Sequence, residues 1–300
     1  MSYTYDANDR LTTDSYDSNG NTISSSGVSF TYDFENRLLM KGAVINVYDG
    51  DGNRVSNTAG GTTTTYLVDT LNPTGYSQVL DELVNGSVTR TYAYGLQRIS
   101  ENQLVGSTWT PSFYGYDGHG NVRFLSNTSG TLTDTYQFDA YGVPIFTSGT
   151  TSNPYLYSGE RFDGNLNLYH LRARYYNALT GRFETMDPVA GGVFDPATLH
   201  KYVYAQNNPV NRVDPTGKDD APEEASIYES VVLPVVRFLN ADPLFKDFLY
   251  IEGGACLAFQ VTREFQSGPD NPPTAFANTF CYAAEALGFV AGLPQPTGKQ

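Results

Sequence analysis

A short unit recurs along the first half of this 300-residue chain, and it constrains the fold more than any other feature. The unit has the form aromatic residue, any residue, second aromatic residue and aspartate, often followed by arginine and an apolar residue, and some copies match it only in part. The clearer copies are Tyr3-Thr4-Tyr5-Asp6, Phe30-Thr31-Tyr32-Asp33 and Val47-Tyr48-Asp49, and the looser ones begin at Tyr92, Tyr114, Tyr136 and Tyr155. Because self-similarity of this kind indicates a repeat architecture, the pattern predicts a row of similar β-hairpins.

The residue types in the unit explain why it forms hairpins. Two aromatic residues at positions i and i+2 lie on one face of a strand and favour a half-buried sheet. Asn-Gly and Asp-Gly pairs follow, and we expect these positions to supply the positive φ angles of tight turns. The pairs are Asn19-Gly20, Asp49-Gly50, Asp51-Gly52, Asn85-Gly86, Asp117-Gly118 and Asp163-Gly164. We expect the arginine beyond the turn to lie over an aromatic ring of the returning strand. The tyrosine ladder is compatible with a sugar-binding surface or with sheet core, and we favour core.

Charge and cysteine content exclude several classes of protein. The formal net charge is −14, and because contacts to a phosphate backbone need a basic surface, nucleic-acid binding is disfavoured. Cys256 and Cys281 have neither CxxC nor metal-site spacing. Two alternatives remain for them, a pair of buried thiols or one disulfide. Residues 1–30 contain no basic segment followed by an apolar run, so no signal peptide is predicted in this chain. No cofactor or metal motif is recognisable, so neither is predicted.

The repeat unit resembles the YD repeat of RHS proteins, of the C component of bacterial Tc toxins and of teneurins. Residues 157–217 resemble the RHS repeat-associated core, which closes such shells. The matching text includes Tyr157-Ser158-Gly159-Glu160-Arg161-Phe162-Asp163, Leu168-Tyr169-His170-Leu171-Arg172-Ala173-Arg174-Tyr175-Tyr176-Asn177, Thr180-Gly181-Arg182-Phe183, Asp187-Pro188 and Asp214-Pro215-Thr216-Gly217. The resemblance implies a mainly β fold, with a hairpin sheet over residues 1–156 and a plug segment over residues 157–217.

In that family the sheet spirals into a large hollow shell, and the plug closes one end. Residues 1–217 are too few to enclose such a cavity, so we expect a ribbon with two open edges. The first copy also begins at Tyr3, the third residue of the chain, as if a repeat were already in progress. We therefore expect the remaining shell strands to come from chain upstream or from a partner subunit.

Paired carboxylates are the strongest chemical candidates in the sequence. By resemblance, Asp187 and Asp214 would be the pair of an intramolecular aspartyl protease that cuts just after the Asp-Pro-x-Gly motif, near Lys218 and specifically between Lys218 and Asp219. Two carboxylates a few ångströms apart share one proton, so one activates water while the other polarises the scissile carbonyl. A third Asp-Pro pair, Asp195-Pro196, falls in an insert between them.

Two departures from the family pattern leave a structural alternative open. Cleaving relatives usually have an apolar residue after the glycine, whereas this chain has Lys218, and some have arginine beside the first aspartate, where this chain has Met186. Asp-Pro also initiates turns, so both aspartates are open to a purely structural role in the plug, which we favour over active cleavage. His119 is expected in a solvated turn, and His170 and His200 are expected to be sheet or plug residues without a catalytic role.

The composition changes after Gly217, where a polar hinge precedes alanine-rich helical periodicity. The sequence predicts a small α-helical region over residues 218–300, at the position where the family carries a variable domain, often a toxin. Residues 275–293 are apolar except for Asn278, Thr279 and Glu285, but Glu285 would be costly in lipid, so a buried helix is preferred to membrane insertion.

The sequence is compatible with two functions of different classes, effector delivery and adhesion. The first is the C-terminal part of an RHS-type shell that encapsulates and delivers a C-terminal effector in competition between bacterial cells, with a delivery system as partner. The protein would then act outside the cell or at the cell surface after delivery. The second is a surface or wall-associated adhesion protein whose repeats bind carbohydrate and which has no enzymatic activity. At most, the enzyme activity predicted is the self-cleavage described above.

Overall fold

The computed structural model describes residues 3–72, 74–189, 191, 196–218 and 221–222, all of which lie in one unit, Met1–Ser226. The predicted α-helical region, Cys256, Cys281 and the apolar segment 275–293 lie outside these residues. The predicted domain limits, 1–156, 157–217 and 218–300, stay predictions. Within the described part of the chain, no helix has the length and apolar character needed to span a membrane.

A single antiparallel sheet of fourteen strands accounts for most of the described chain, as the repeat pattern predicts. The strands pair in chain order without a crossover. They are β1 (Ser15–Tyr16), β2 (Thr22–Ser25), β3 (Val28–Tyr32), β4 (Leu38–Lys41), β5 (Val44–Tyr48), β6 (Arg54–Ala59), β7 (Thr62–Asp69), β8 (Gln78–Val84), β9 (Ser87–Tyr94), β10 (Arg98–Val105), β11 (Thr108–Tyr116), β12 (Val122–Ser126), β13 (Leu132–Phe138) and β14 (Pro144–Ser148). All five residues of β14, the strand at one end of this order, are exposed.

The aspartate of the repeat closes a five-residue loop between strands. In the loop that joins β5 to β6, Asp49 Oδ1 accepts hydrogen bonds from the backbone N–H groups of Asp51 at 3.0 Å and Asn53 at 2.8 Å. The same pair of bonds, from residues i+2 and i+4, recurs at Asp6, Asp17, Asp33, Asp117, Asn127 and Asp139. A short polar side chain that bonds its own downstream backbone is the usual device for such turns.

This loop geometry corrects the expected positions of positive φ. The residue at i+3 carries it, as at Gly52 (φ 85°) and Gly120 (φ 82°), and not the glycine directly after the aspartate, at Gly50 or Gly118. The Asp163-Gly164 assignment is wrong for a similar reason, because Asn167 (φ 56°) adopts the left-handed conformation in that turn. The prediction is confirmed for the glycines of Asn19-Gly20 (φ 82°) and Asp51-Gly52, which occupy the i+3 position of their loops. It is also confirmed at Asn85-Gly86, where both residues have positive φ, as a two-residue hairpin turn requires.

One face of the sheet, here called the inner face, carries the aromatic ladder and is buried. Phe30, Tyr66, Tyr92 and Tyr136 expose only 4–7% of their surface, so the ladder is core, as favoured above. The repeat arginines lie over rings of the following strand, as expected; the pairs are Arg10 with Tyr16, Arg37 with Tyr48 and Arg54 with Tyr66, at 5.3–5.4 Å.

The described part of residues 157–217, here called the plug segment, covers the inner face. It forms a four-stranded antiparallel sheet, β15 (Arg161–Asp163), β16 (Leu168–Leu171), β17 (Arg174–Asn177) and β18 (Arg182–Phe183), and β19 (Arg212–Val213) pairs with β20 (Ala221–Pro222). Short 3-10 segments span Tyr157–Gly159, Pro196–Leu199 and Tyr204–Asn207. Tyr169, Tyr176 and Tyr204 are at most 1% exposed and pack with Leu125 and Tyr136 of the large sheet. The plug segment is therefore a folded part of the same core.

Candidate active site

The turn between β16 and β17 holds the Asp-Pro-Thr-Gly segment along its backbone. Arg172, which has a φ of 54°, donates through Nη1 to the carbonyl oxygen of Pro215. The backbone N–H of Ala173 donates to the carbonyl of Thr216 at 3.2 Å, and Arg174 Nε donates to the carbonyl of Gly217. Three successive residues of the turn thus bind three successive carbonyls of the segment.

Glycine is the only residue type that fits at position 217 of this arrangement. Its φ is 69°, a conformation that residues with a side chain adopt at a cost. A Cβ atom at this position would lie 2.3 Å from the carbonyl oxygen of Leu171 and 3.0 Å from the backbone nitrogen of Arg174. The close approach of two backbones therefore explains the glycine of the motif.

Asp214 closes the segment as the repeat aspartates close their loops. Its Oδ1 accepts hydrogen bonds from the backbone N–H of Lys218 and from the hydroxyl of Thr216, both at 3.1 Å. The bond from residue i+4 and the positive φ at residue i+3 are those of the Asp49 loop. The turn-initiating role considered for Asp214 is thus part of its geometry.

The two aspartates singled out from the sequence meet at one guanidinium group. Arg174 Nη2 lies 2.9 Å from Asp187 Oδ2 and 3.2 Å from Asp214 Oδ2. The side chain of Asp214 is fully buried and that of Arg174 is 3% exposed, whereas that of Asp187 is 19% exposed. One carboxylate of the pair therefore has access to water and the other has none.

The presence of Arg174 changes the chemistry expected of the pair. Arginine is always cationic. The arrangement therefore places a fixed positive charge between the two carboxylates, which the sequence alone did not predict. Met186, at the position where some relatives have arginine, is 41% exposed, and Arg174 brings the guanidinium to Asp187 from another strand.

Arg174 is the residue that the sequence analysis missed at this site. It belongs to the Leu168–Asn177 text that carries the family resemblance, and two arginines at positions i and i+2 beside a turn were a signal of paired anionic or carbonyl partners. Its guanidinium also lies 3.5 Å from the ring centroid of Phe183, a contact that buries the cation on one side.

The remaining sequence candidates lie elsewhere. Lys218 is exposed at the end of the segment, while Asp195 and Asp219 are outside the described residues. His119 differs from expectation, because its ring is partly buried 5.4 Å from the ring of Tyr157. His170 is a plug residue, as expected, and burial lowers the pKa of its imidazole well below the usual value. His200 is largely exposed, 3.5 Å from Asp9.

Buried ion pairs join the plug segment to the large sheet. Arg161 Nη1 of β15 lies 2.6 Å from Glu82 Oε1 of β8, and Tyr92 donates to the same oxygen at 2.8 Å. Burial alone would raise the pKa of Glu82, but Arg161 and Arg90 outweigh it and lower that pKa to about 2. The carboxylate is therefore ionised in the core and fixes where the plug segment sits.

A long hairpin sheet with a buried tyrosine-rich plug is the RHS-type shell fold that the resemblance implies. The structure is similar to the crystal structure of TcdB2-TccC3, with a TM-score of 0.54 and 18% identity over 67% of this chain and 11% of that chain. At this identity the likeness shows the fold alone.

Curated proteins with related sequences have names that refer to nucleases. The chain is 36% identical over 215 residues to the tRNA3(Ser)-specific nuclease WapA of Bacillus spizizenii and 35% identical over 213 residues to the tRNA nuclease WapA of Bacillus subtilis. Each match covers 68% of this chain and 9% of the relative, so the chain spans less than a tenth of their length. No protein-family model matches the chain.

Proposed function

We propose that this chain is the C-terminal part of an RHS-type shell protein that encapsulates and delivers an effector, with residues 218–300 as the cargo. The observation that carries the proposal is the plug segment, which packs on the inner face of the repeat sheet and ends directly before residue 218. Two relatives are named tRNA nucleases, and one similar solved structure is titled as a Photorhabdus luminescens Tc holotoxin pore, which supports a delivered effector.

The remaining shell strands would come from upstream chain or from a partner subunit. Two features support this part of the proposal: the chain corresponds to only 11% of the solved shell chain, and β14 is exposed along its whole length. An unpaired strand edge offers backbone donors and acceptors to a further strand. A delivery system would then carry the assembly out of the producing cell or to its surface.

Release of the cargo would follow self-cleavage near Lys218 by Asp187 and Asp214. The contact of both carboxylates with Arg174, next to the carbonyl of Gly217, supports this step. Intact-mass measurement of the purified full chain is the test. Two fragments are expected from the wild type and one full-length species from Asp187→Asn, whereas a single species in both would refute self-cleavage.

Growth of a bacterial host tests the cargo role. Expression of residues 218–300 is expected to stop growth, while the uncleaved Asp187→Asn chain is expected to be tolerated. Unimpaired growth with the free tail, together with retention of the full chain on immobilised glycans, would favour the adhesion hypothesis instead. Burial of the aromatic ladder removes that face as a sugar-binding surface in the described residues.

A further inference from the structure

We propose that the scissile bond is Gly217–Lys218, one residue earlier than the sequence analysis placed it, and that Arg174 is the catalytic residue that polarises it. The proposal rests on the self-cleavage proposed above. It adds an electrophile to the two aspartates and assigns a specific bond.

Both polar atoms of this peptide bond are held by the site. The carbonyl oxygen of Gly217 accepts from Arg174 Nε, and the nitrogen of Lys218 donates to Asp214 Oδ1 at 3.1 Å. Arg174 and Asp214 are themselves joined, through Nη2 and Oδ2, at 3.2 Å. The bond is therefore fixed at both ends by a single buried ion pair.

Arg172 and Ala173 bind the two preceding carbonyls, but neither joins the aspartate pair. Ala173 offers only a backbone N–H to Thr216, and Arg172 Nη1 bonds Pro215 and Glu160. The β16–β17 turn binds three carbonyls. Of these, that of Gly217 alone receives a donor from the guanidinium that contacts both aspartates. The geometry thus points to the Gly217 carbonyl as the reacting group.

The two sides of the bond differ in their access to solvent. Gly217 is buried and Lys218 is exposed, so the bond lies where the plug segment meets solvent. Asp187, 19% exposed, is the carboxylate of the pair that water can reach, whereas the fully buried Asp214 already accepts from Thr216, Lys218 and Arg174. The roles of the two aspartates are therefore unequal, with Asp187 as the base and Asp214 as the anchor.

The reaction is the addition of one water molecule across the amide. Asp187 takes a proton from the water as its oxygen attacks the Gly217 carbonyl carbon, and the negative charge that develops on the Gly217 oxygen is stabilised by Arg174 Nε–H. The C–N bond then breaks, and the proton held by Asp187 passes to the Lys218 nitrogen. The first products are a carboxylic acid at Gly217 and a neutral amine at Lys218. The acid proton then passes to the amine, which gives a carboxylate at Gly217 that remains beside Arg174 and an ammonium group at Lys218.

This arrangement does not require the two carboxylates to share a proton. A donor aimed at a developing oxyanion stabilises the transition state more than the ground state, because the charge on the oxygen grows during attack. Removing one such donor typically slows acyl transfer by about 100-fold or more. We expect a loss of that size in Arg174→Gln.

The test uses the full chain, made by cell-free translation and followed over time. The first reading is the N-terminal sequence of the released fragment from the wild type, which we expect to begin at Lys218. The second is the rate of fragment release in Arg174→Gln, which should fall by about 100-fold or more. Arg174→Lys keeps a cation but loses the forked geometry, so its rate should be intermediate. Arg123→Gln, which removes a surface arginine paired with Asp117, is the matched control and should cleave as the wild type does.

The outcomes separate the two proposals. A wild-type chain that never cleaves overturns both the self-cleavage and this inference. A fragment that begins at Asp219 or elsewhere leaves self-cleavage standing and overturns the Gly217–Lys218 assignment. Cleavage of Arg174→Gln at the wild-type rate overturns the role of Arg174. Because Arg174 is buried, the near-ultraviolet circular dichroism of each variant is compared with that of the wild type to check folding. If Arg174→Gln does not fold, the position of the cut in the wild type and the cleavage rate of Arg174→Lys test the proposal instead.

Discussion

Arg54 Nη1 donates to Asp163 Oδ2 across 2.9 Å, and this bond joins β6 of the repeat sheet to β15 of the plug segment, 109 residues away. Both side chains are at most 5% exposed, and Arg54 also donates to the hydroxyl of Tyr175 at 2.8 Å. An ion pair of this kind contributes little as a pair, but loss of one member leaves the other buried and uncompensated. The plug segment is therefore held in one position, because the buried cation of Arg54 needs the Asp163 carboxylate beside it.

Asp163→Ala is accordingly expected to destabilise the folded protein by about 3–5 kcal/mol, the usual result of breaking a buried ion pair. Urea unfolding of the full chain, followed by near-ultraviolet circular dichroism of the buried tyrosines, measures the loss. Asp81→Ala is the control, because Asp81 neighbours Glu82 on β8, lies only half-buried and should change stability by no more than about 0.5 kcal/mol. Equal effects from the two variants would contradict the role given to Asp163.

Glu82 and Glu184 are both buried, yet their pKa values move in opposite directions. Arg161 and Arg90 overcome burial and lower the pKa of Glu82 to about 2, so its contribution to stability is complete above its ordinary value of 4.5 and disappears as the pH falls towards 2. Burial raises the pKa of Glu184, so its contribution is complete below 4.5 and disappears as the pH rises through the folded value.

The cost of Glu82→Gln should therefore shrink between about pH 5 and pH 2, from about 3 kcal/mol near neutrality. The cost of Glu184→Gln should instead grow at higher pH, as the pH falls through the raised folded pKa of Glu184 towards 4.5, and then stay constant below 4.5, since Gln cannot gain the proton that stabilises the wild-type residue. Unfolding free energies of the two variants and the wild type at several pH values provide the measurement. Parallel pH profiles would show that the ion pairs of Glu82 do not set its protonation in the folded state.

The next prediction concerns the stability that the repeat aspartates contribute to their loops. Asp49→Ala removes the acceptor of two backbone N–H groups, so a loss of about 1–2 kcal/mol is expected. Asp51→Ala, in the same loop, removes an exposed side chain and should change stability by less than about 0.5 kcal/mol. The comparison is made by thermal unfolding of the full chain, and a larger loss from Asp51→Ala would rule out this account of the repeat.

The strands and hairpins were predictable because their signals are local. Aromatic residues two positions apart, and polar turn residues between them, determine strand faces and reversals within a few residues. Positive φ at Gly52 was predicted, but the same dipeptide preference also assigned it to Gly50 and to Gly118, and it did not predict Gly120. The position depends on which backbone N–H groups the aspartate accepts, and dipeptide preferences do not reveal that.

The candidate site was predictable only in part, for a different reason. The motif text pointed to Asp187 and Asp214, but the group that joins them is on β17 and reaches them only after the plug segment has folded. Arg54 and Asp163 are hidden from a sequence reading in the same way, because their pairing depends on docking of two parts of the chain 109 residues apart.

Gly217→Ala tests whether the contacts from the β16–β17 turn position the Asp-Pro-Thr-Gly segment for the proposed cleavage. The added Cβ would lie 2.3 Å from the Leu171 carbonyl at a φ of 69°, so the segment must move away from Arg174. Because a displacement of about 1 Å at a reacting group can cost about 100-fold in rate, the full-length species should persist in intact-mass measurements. Gly164→Ala is the matched control in the turn between β15 and β16, where a Cβ meets nothing within 4 Å, and it should cleave normally. Wild-type cleavage by Gly217→Ala would show that close packing against Leu171 and Arg174 is not needed for the reaction.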